Sequence, residues 1–220
     1  MAMTAELIHI LEEYAAFEAE VRQQLANICA PYCSICVRVC CRPEYCRENI
    51  DSPFLTLLSS GNSTNSVYSA DRGWLTSSGC ALSVGRPPVC YQFICRKIFD
   101  SLPDDTHRYL LGVLSELVVH AGKRAFGGNH LVEIMEVGKL ERIDAKRLGN
   151  RLTEARNALE AIRSFAGYGA LPDSTQKILT KIKPGPASQA SRTFQIRHSG
   201  SRFPFPDVDS RFKARRAYRL

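Results

Sequence analysis

Thiols are the groups most able to do chemistry in this chain, and their spacing points to metal. Of nine cysteines, Cys29, Cys33, Cys36, Cys40, Cys41 and Cys46 fall within eighteen positions, and Cys80, Cys90 and Cys95 form a second group. A thiolate is both a strong soft-metal ligand and a reactive nucleophile, so crowded cysteines in a reducing compartment are usually kept coordinated. An odd count leaves one thiol over in any closed disulfide framework. The first residues, Met1 to His9, lack the basic start and small-residue cleavage site of a secretory signal, and Glu6, Glu12 and Glu13 interrupt the apolar stretch. No run of about eighteen apolar residues is present to span a membrane. The expected location is cytoplasmic, where clustered cysteines signal metal more often than disulfides.

Two cysteines separated by two or three residues can curl around one tetrahedral ion, as Cys29-x3-Cys33 and Cys33-x2-Cys36 allow. Cys40 and Cys41 are adjacent, and neighbouring side chains in extended backbone point to opposite sides. They therefore serve two nearby sites, or one of them stays free. In the second group, Pro87 and Pro88 stiffen the approach to Cys90, and Arg86 offers a positive charge beside thiolates that keep net negative charge after binding zinc. Cys29-x3-Cys33-x2-Cys36 also has the spacing with which radical S-adenosylmethionine enzymes hold a four-iron cluster. That fold sets the loop after a strand and before repeated β/α units, whereas here it follows a helical stretch with no such alternation downstream.

The segment Cys80-x5-Arg86-Pro87-x2-Cys90, downstream of a Cys-x2-Cys element that ends in a Cys-Cys pair, resembles the cysteine-rich zinc- or iron-chelating family often called YkgJ-like. The resemblance covers roughly residues 29 to 95. It implies a small bacterial protein that binds a zinc ion or an iron-sulfur cluster, with no settled activity. The family carries a further cysteine shortly before the position of Cys80, where this chain has Gly73-Trp74-Leu75, and Cys46 and Cys95 are the two candidates to replace it. Both metals accept four thiolates, so spacing leaves zinc and iron-sulfur open.

Helices flank these thiols. Leu7, Leu11, Tyr14, Phe17, Val21, Leu25 and Ile28 recur at spacings of three and four, which predicts a helix over 4–28 that leads into the first cluster. From Cys29 to about Cys95 the helical period disappears, and Pro31, Pro43, Pro53, Pro87 and Pro88 read as turn markers in irregular backbone. A second helix is expected from about Asp104, capped by Ser101 or Asp104, with Leu110, Leu111, Leu114, Leu117 and Val118 facing the core. A third follows from Leu148, Leu152, Ala155, Leu159, Ile162 and Phe165, ending at Gly167-Tyr-Gly169. Its rhythm lasts under three heptads, which favours packing within the chain over a coiled-coil dimer. Residues 173–183 add a turn or two.

The five histidines are scattered. His9 and His107 read as helix-surface residues and His120 as a helix-end residue, while His130, after a glycine pair, is the one worth testing as a ligand. Glu133, Glu136 and Glu141 read as a solvated face. Phosphate-loop, dinucleotide and nucleophile-elbow motifs are absent from the sequence. Residues 184–220 hold eight Lys or Arg against Asp207 and Asp209, so six of the formal seven positive charges lie there. With Phe194, Phe203, Phe205, Phe212 and Tyr218 between the arginines, this stretch suits nucleic acid or another acidic partner.

The expected architecture is mainly α, with helices flanking an irregular Cys-rich metal-binding lobe and a disordered basic C-terminal tail. Its parts are an N-terminal helix (1–28), the lobe (29–100), a helical region (101–183) and the tail (184–220). The expected function is metal binding, structural or metal-handling. The rival is a redox or cluster-dependent enzyme using a spare thiol at Cys41, Cys46 or Cys95, and a third reading is a nucleic-acid-associated module.

Overall fold

Apolar residues three and four apart share one face of a helix, so a stripe of them is buried against whatever is equally apolar. In the computed structural model, which describes residues 3–35, 41–60, 68–77, 79–169 and 171–185, such stripes build a mainly helical fold. Helix α1 (Ala5–Cys33) starts where the Thr4 hydroxyl accepts the Leu7 N–H at 3.3 Å. Leu7, Ile10, Tyr14, Phe17 and Val21 are buried along it, and Leu11, Leu25 and Ile28 pack at the margin of the core.

The helix does not stop at 28. It runs on through Cys29, Pro31 and Cys33, and its end is closed by the Ser34 N–H donating to the Ala30 carbonyl at 3.0 Å. Pro31 removes one hydrogen bond, to the carbonyl of Asn27, but Asn27 is exposed and water can satisfy that oxygen.

Among the described residues, the stretch after it is partly helical rather than irregular throughout. Pro43 and Pro53 open helices α2 (Pro43–Asp51) and α3 (Pro53–Ser60) rather than marking turns. At the first helical position the missing N–H has no partner to lose and the fixed φ already suits a helix. Helix α3 sends Phe54, Leu55 and Leu58 into the same core that α1 lines. A short hairpin follows, β1 (Leu75–Thr76) antiparallel to β2 (Gly79–Cys80), with Leu75 opposite Cys80. Two single-turn helices, α4 (Val89–Gln92) and α5 (Arg96–Asp100), add Tyr91 and Ile98 to the core.

Helix α6 (Asp105–Gly122) is capped by Asp104, which accepts the His107 N–H at 2.9 Å, and the four leucines and one valine expected in the core are all buried. A 3-10 turn at Leu131–Glu133 and α7 (Val137–Leu140) lead to α8 (Ala145–Tyr168), capped by Asp144 and ending at Gly169. Helix α9 (Asp173–Ile182) closes the described chain. The stripe on α8 is filled from within the chain by α1, α6 and α9. Arg156 and Arg163 of α8 pair with Glu13 and Glu20 of α1 at 2.7 and 3.3 Å. Among the described residues, no helix is long and apolar enough to cross a membrane. The basic stretch lies, from residue 186 onward, outside the described residues.

Two histidines are structural. His120 is at the end of α6 but buried, and it pairs with the Glu154 carboxylate of α8 at 2.9 Å. His130 uses both ring nitrogens: Nδ1 accepts the Val132 N–H at 3.3 Å and Nε2 donates to the Val119 carbonyl at 3.0 Å, so the neutral ring is fully occupied and is no spare ligand. Burial lowers the pKa of both, and for His120 the Glu154 contact opposes this only in part. In the window from the lowered value up to about 6.5, the unfolded chain binds protons that the folded one refuses, so stability falls as pH falls. His120→Gln keeps an N–H donor toward Glu154 without titrating. Urea midpoints of wild type should therefore drop more steeply than those of His120→Gln between pH 7.5 and 5.5; equal slopes would show that His120 titrates as if exposed.

Candidate metal centre

Four thiols are placed by α2, the hairpin and α4. Cys41 is exposed one residue before the α2 N-cap, and Cys46 is buried on the second turn of that helix. Cys46 lies against the hairpin so closely that a Cβ at Gly73 would stand 2.6 Å from its sulfur, and the Trp74 backbone N–H donates to that sulfur. Cys80 ends β2, half-buried. From there the chain turns back through Leu82 and Val84, both buried. Arg86 stitches this turn together, its Nε donating to the Leu82 carbonyl at 2.8 Å and its guanidinium reaching the Cys80 carbonyl at 3.5 Å.

Cys90 is on α4. Its residue is exposed by area, yet protein atoms crowd it closely enough that desolvation pushes its thiol far above the ordinary value. The charges of Cys46, Cys80 and Cys41 push the same way, and Arg86 opposes them. Burial also raises the Cys46 thiol, against the Trp74 N–H, with Cys80 raising and Arg86 lowering it. Cys46, Cys80 and Cys90 therefore share one electrostatic neighbourhood with Arg86, and Cys41 reaches it through Cys90. Without a metal, the Cys46 and Cys90 thiols are held protonated at neutral pH.

Cys29, Cys33 and Cys95 belong to α1 and to the start of α5. Cys29 and Cys33 stand one helical turn apart near the end of α1, Cys33 exposed and Cys29 packed at the margin of the core. Cys95 is the N-cap residue of α5 and packs at the core margin too. Cys36 and Cys40 lie outside the described residues. Among the described residues, no group of three or more His, Cys, Asp or Glu side chains is arranged to hold a metal ion.

No family model, curated protein or solved structure matches the chain.

What sequence reasoning missed is a carboxylate. Glu18, on α1, is fully buried and accepts three hydrogen bonds from the segment between Cys80 and α4: Gly85 N–H at 2.7 Å, Arg86 N–H at 2.9 Å and the Tyr91 hydroxyl at 2.7 Å. Desolvation raises its pKa, and the bonds from Tyr91, Gly85 and Arg86 pull back without cancelling the rise. From the other side, the buried Asn49 side chain of α2 donates to the Gly85 carbonyl at 2.7 Å. The signal was legible: Glu18 stands four residues after Tyr14 and three before Val21, on the apolar face, where a carboxylate needs partners. Tyr14, its neighbour one turn back, is buried with no hydrogen-bond partner for its hydroxyl among the described residues.

Proposed function

We infer that this chain is a metal-binding protein that holds a zinc ion or an iron-sulfur cluster through the thiols of Cys41, Cys46, Cys80 and Cys90, in a structural or metal-handling role. The supporting observation is the charge coupling of these thiols around Arg86. Burial first, and the charges of neighbouring thiols second, hold the Cys46 and Cys90 thiols high; a bound metal would replace their protons and give the thiolates a cation to face. A tetrathiolate zinc site keeps net negative charge, and Arg86 offsets part of it. The four sulfurs suit zinc or a cluster equally. The resemblance of Cys80-x5-Arg86-Pro87-x2-Cys90 to the YkgJ-like family points to the same chemistry. Attack by a spare thiol is the weaker reading, because a nucleophilic cysteine needs a lowered pKa and Cys46 has a raised one.

The test is metal analysis with a visible spectrum on protein purified without oxygen. Zinc near a whole number per chain with no colour, or iron with acid-labile sulfide and absorption at about 400 nm, is the expected result. Metal far below one per chain with all nine thiols open to titration would overturn the reading.

A further inference from the structure

A metal site assembled from distant segments needs something rigid to hold the segments still, since outer groups that orient ligands account for much of a site's affinity. Here the Cys80–Cys90 loop is irregular between β2 and α4. Glu18 of α1 gives it three hydrogen bonds from the helical core, and Asn49 of α2 adds one to the Gly85 carbonyl. Glu18 Oε1 accepts both the Arg86 N–H and the Tyr91 hydroxyl, and Oε2 accepts the Gly85 N–H. These partners begin five residues after Cys80 and end one residue after Cys90. Arg86, held at its backbone by Glu18, holds the Leu82 and Cys80 carbonyls with its guanidinium.

We propose that Glu18 is the positioning residue of the thiol region: from inside the core it fixes the Gly85–Tyr91 segment and so sets where Cys80 and Cys90 are held when a metal binds. This rests on the thiol-site reading above and extends it to a residue whose hydrogen bonds go to Gly85, Arg86 and Tyr91. A carboxylate is needed because three donors converge on it. Glutamine keeps the shape but turns one acceptor into an NH2 group, which must face a donor. Tyr91→Phe removes one of the three bonds and leaves the other two.

The experiment is a cobalt(II) titration of the metal-free full chain, read by the thiolate-to-cobalt and ligand-field bands. The variants are Glu18→Gln, Tyr91→Phe and Ile10→Ala, the last loosening α1 from the core away from the loop. Glu18→Gln should weaken cobalt binding by about ten- to a hundred-fold and alter the ligand-field bands, with Tyr91→Phe moving the same way by less. Ile10→Ala should lower the unfolding midpoint and bind cobalt with the wild-type spectrum. Alkylation of Cys46 and Cys90 by iodoacetamide, followed by mass spectrometry on metal-free protein, supplies a second readout and should be several times faster in Glu18→Gln than in wild type. Wild-type affinity, spectrum and alkylation rates in Glu18→Gln would overturn the proposal, as would the same result in Tyr91→Phe if Glu18→Gln does not fold. If wild type itself shows no cobalt-thiolate band, the metal reading fails and the alkylation rates alone decide whether Glu18 positions these cysteines.

Discussion

Gly85→Ala should destabilise the fold by about 3–5 kcal/mol, one of the larger effects available from adding a single methyl group. Two costs combine. Gly85 has φ +77°, where an L side chain costs about 1–2 kcal/mol. The new Cβ would also lie 2.8 Å from the Leu55 carbonyl oxygen and 3.2 Å from the Ser59 backbone nitrogen, both in α3, so no flexible side-chain tip can yield. The loop must move instead, and moving it stretches the bonds to Glu18 and Asn49, exposing a buried carboxylate to the loss of its donors. At roughly 2–4 °C per kcal/mol for a chain of this size, thermal melting followed by circular dichroism should show a fall of the order of 10 °C. Gly127→Ala separates the costs, because Gly127 also has a positive φ, +59°, but nothing within 4 Å of its would-be Cβ. It should lose only the backbone share. Equal losses at the two positions would mean that the contact with α3 contributes nothing.

Gly85 matters because three helices meet through it, and that junction shows what the sequence could and could not convey. Helices α6 and α8 were legible because each spans several turns, long enough for a three-four rhythm to separate from chance, and because Asp104 and the Gly169 end bracket them. Helices α2 and α3 offer only about two turns each, and their opening prolines are ambiguous: the same residue that ends a helix also begins one. Pro31 misled in the opposite direction, since an exposed last turn tolerates the bond it removes. The thiols were legible by type, but their grouping was not. Sequence proximity joins Cys29 and Cys33 to Cys41 and Cys46, whereas in the fold Cys80 acts on the charge of Cys46, and both act on that of Cys90. That relation depends on the tertiary contact between Cys46 of α2 and Gly73 beside the hairpin, which no local pattern encodes.

Cys46→Ser and Cys90→Ser should each reduce bound metal to a small fraction of wild type, whereas Cys95→Ser should leave the stoichiometry unchanged. A serine hydroxyl is a far weaker soft-metal ligand than a thiolate and does not ionise near neutral pH, so the loss per ligand is large where a structural zinc supplies of order 10 kcal/mol in total. Whether metal loss unfolds the chain is a separate matter, and the packing answers it. Leu114, Leu117, Ala155, Ala158 and Leu159 are fully buried between α6 and α8, and α1 is pinned to α8 by Arg156 and Arg163. That core needs no metal to bury its apolar surface. Helical circular dichroism should therefore persist in the metal-free variants, while amide exchange accelerates in residues 41–92 and stays slow in α6 and α8. If Cys95→Ser lost metal as fully as Cys90→Ser, Cys95 would belong to the ligand set. If α6 and α8 lost protection together with the thiol region, metal binding and folding of the core would be one cooperative event, and the site would be the keystone of the fold rather than a guest anchored to it by Glu18.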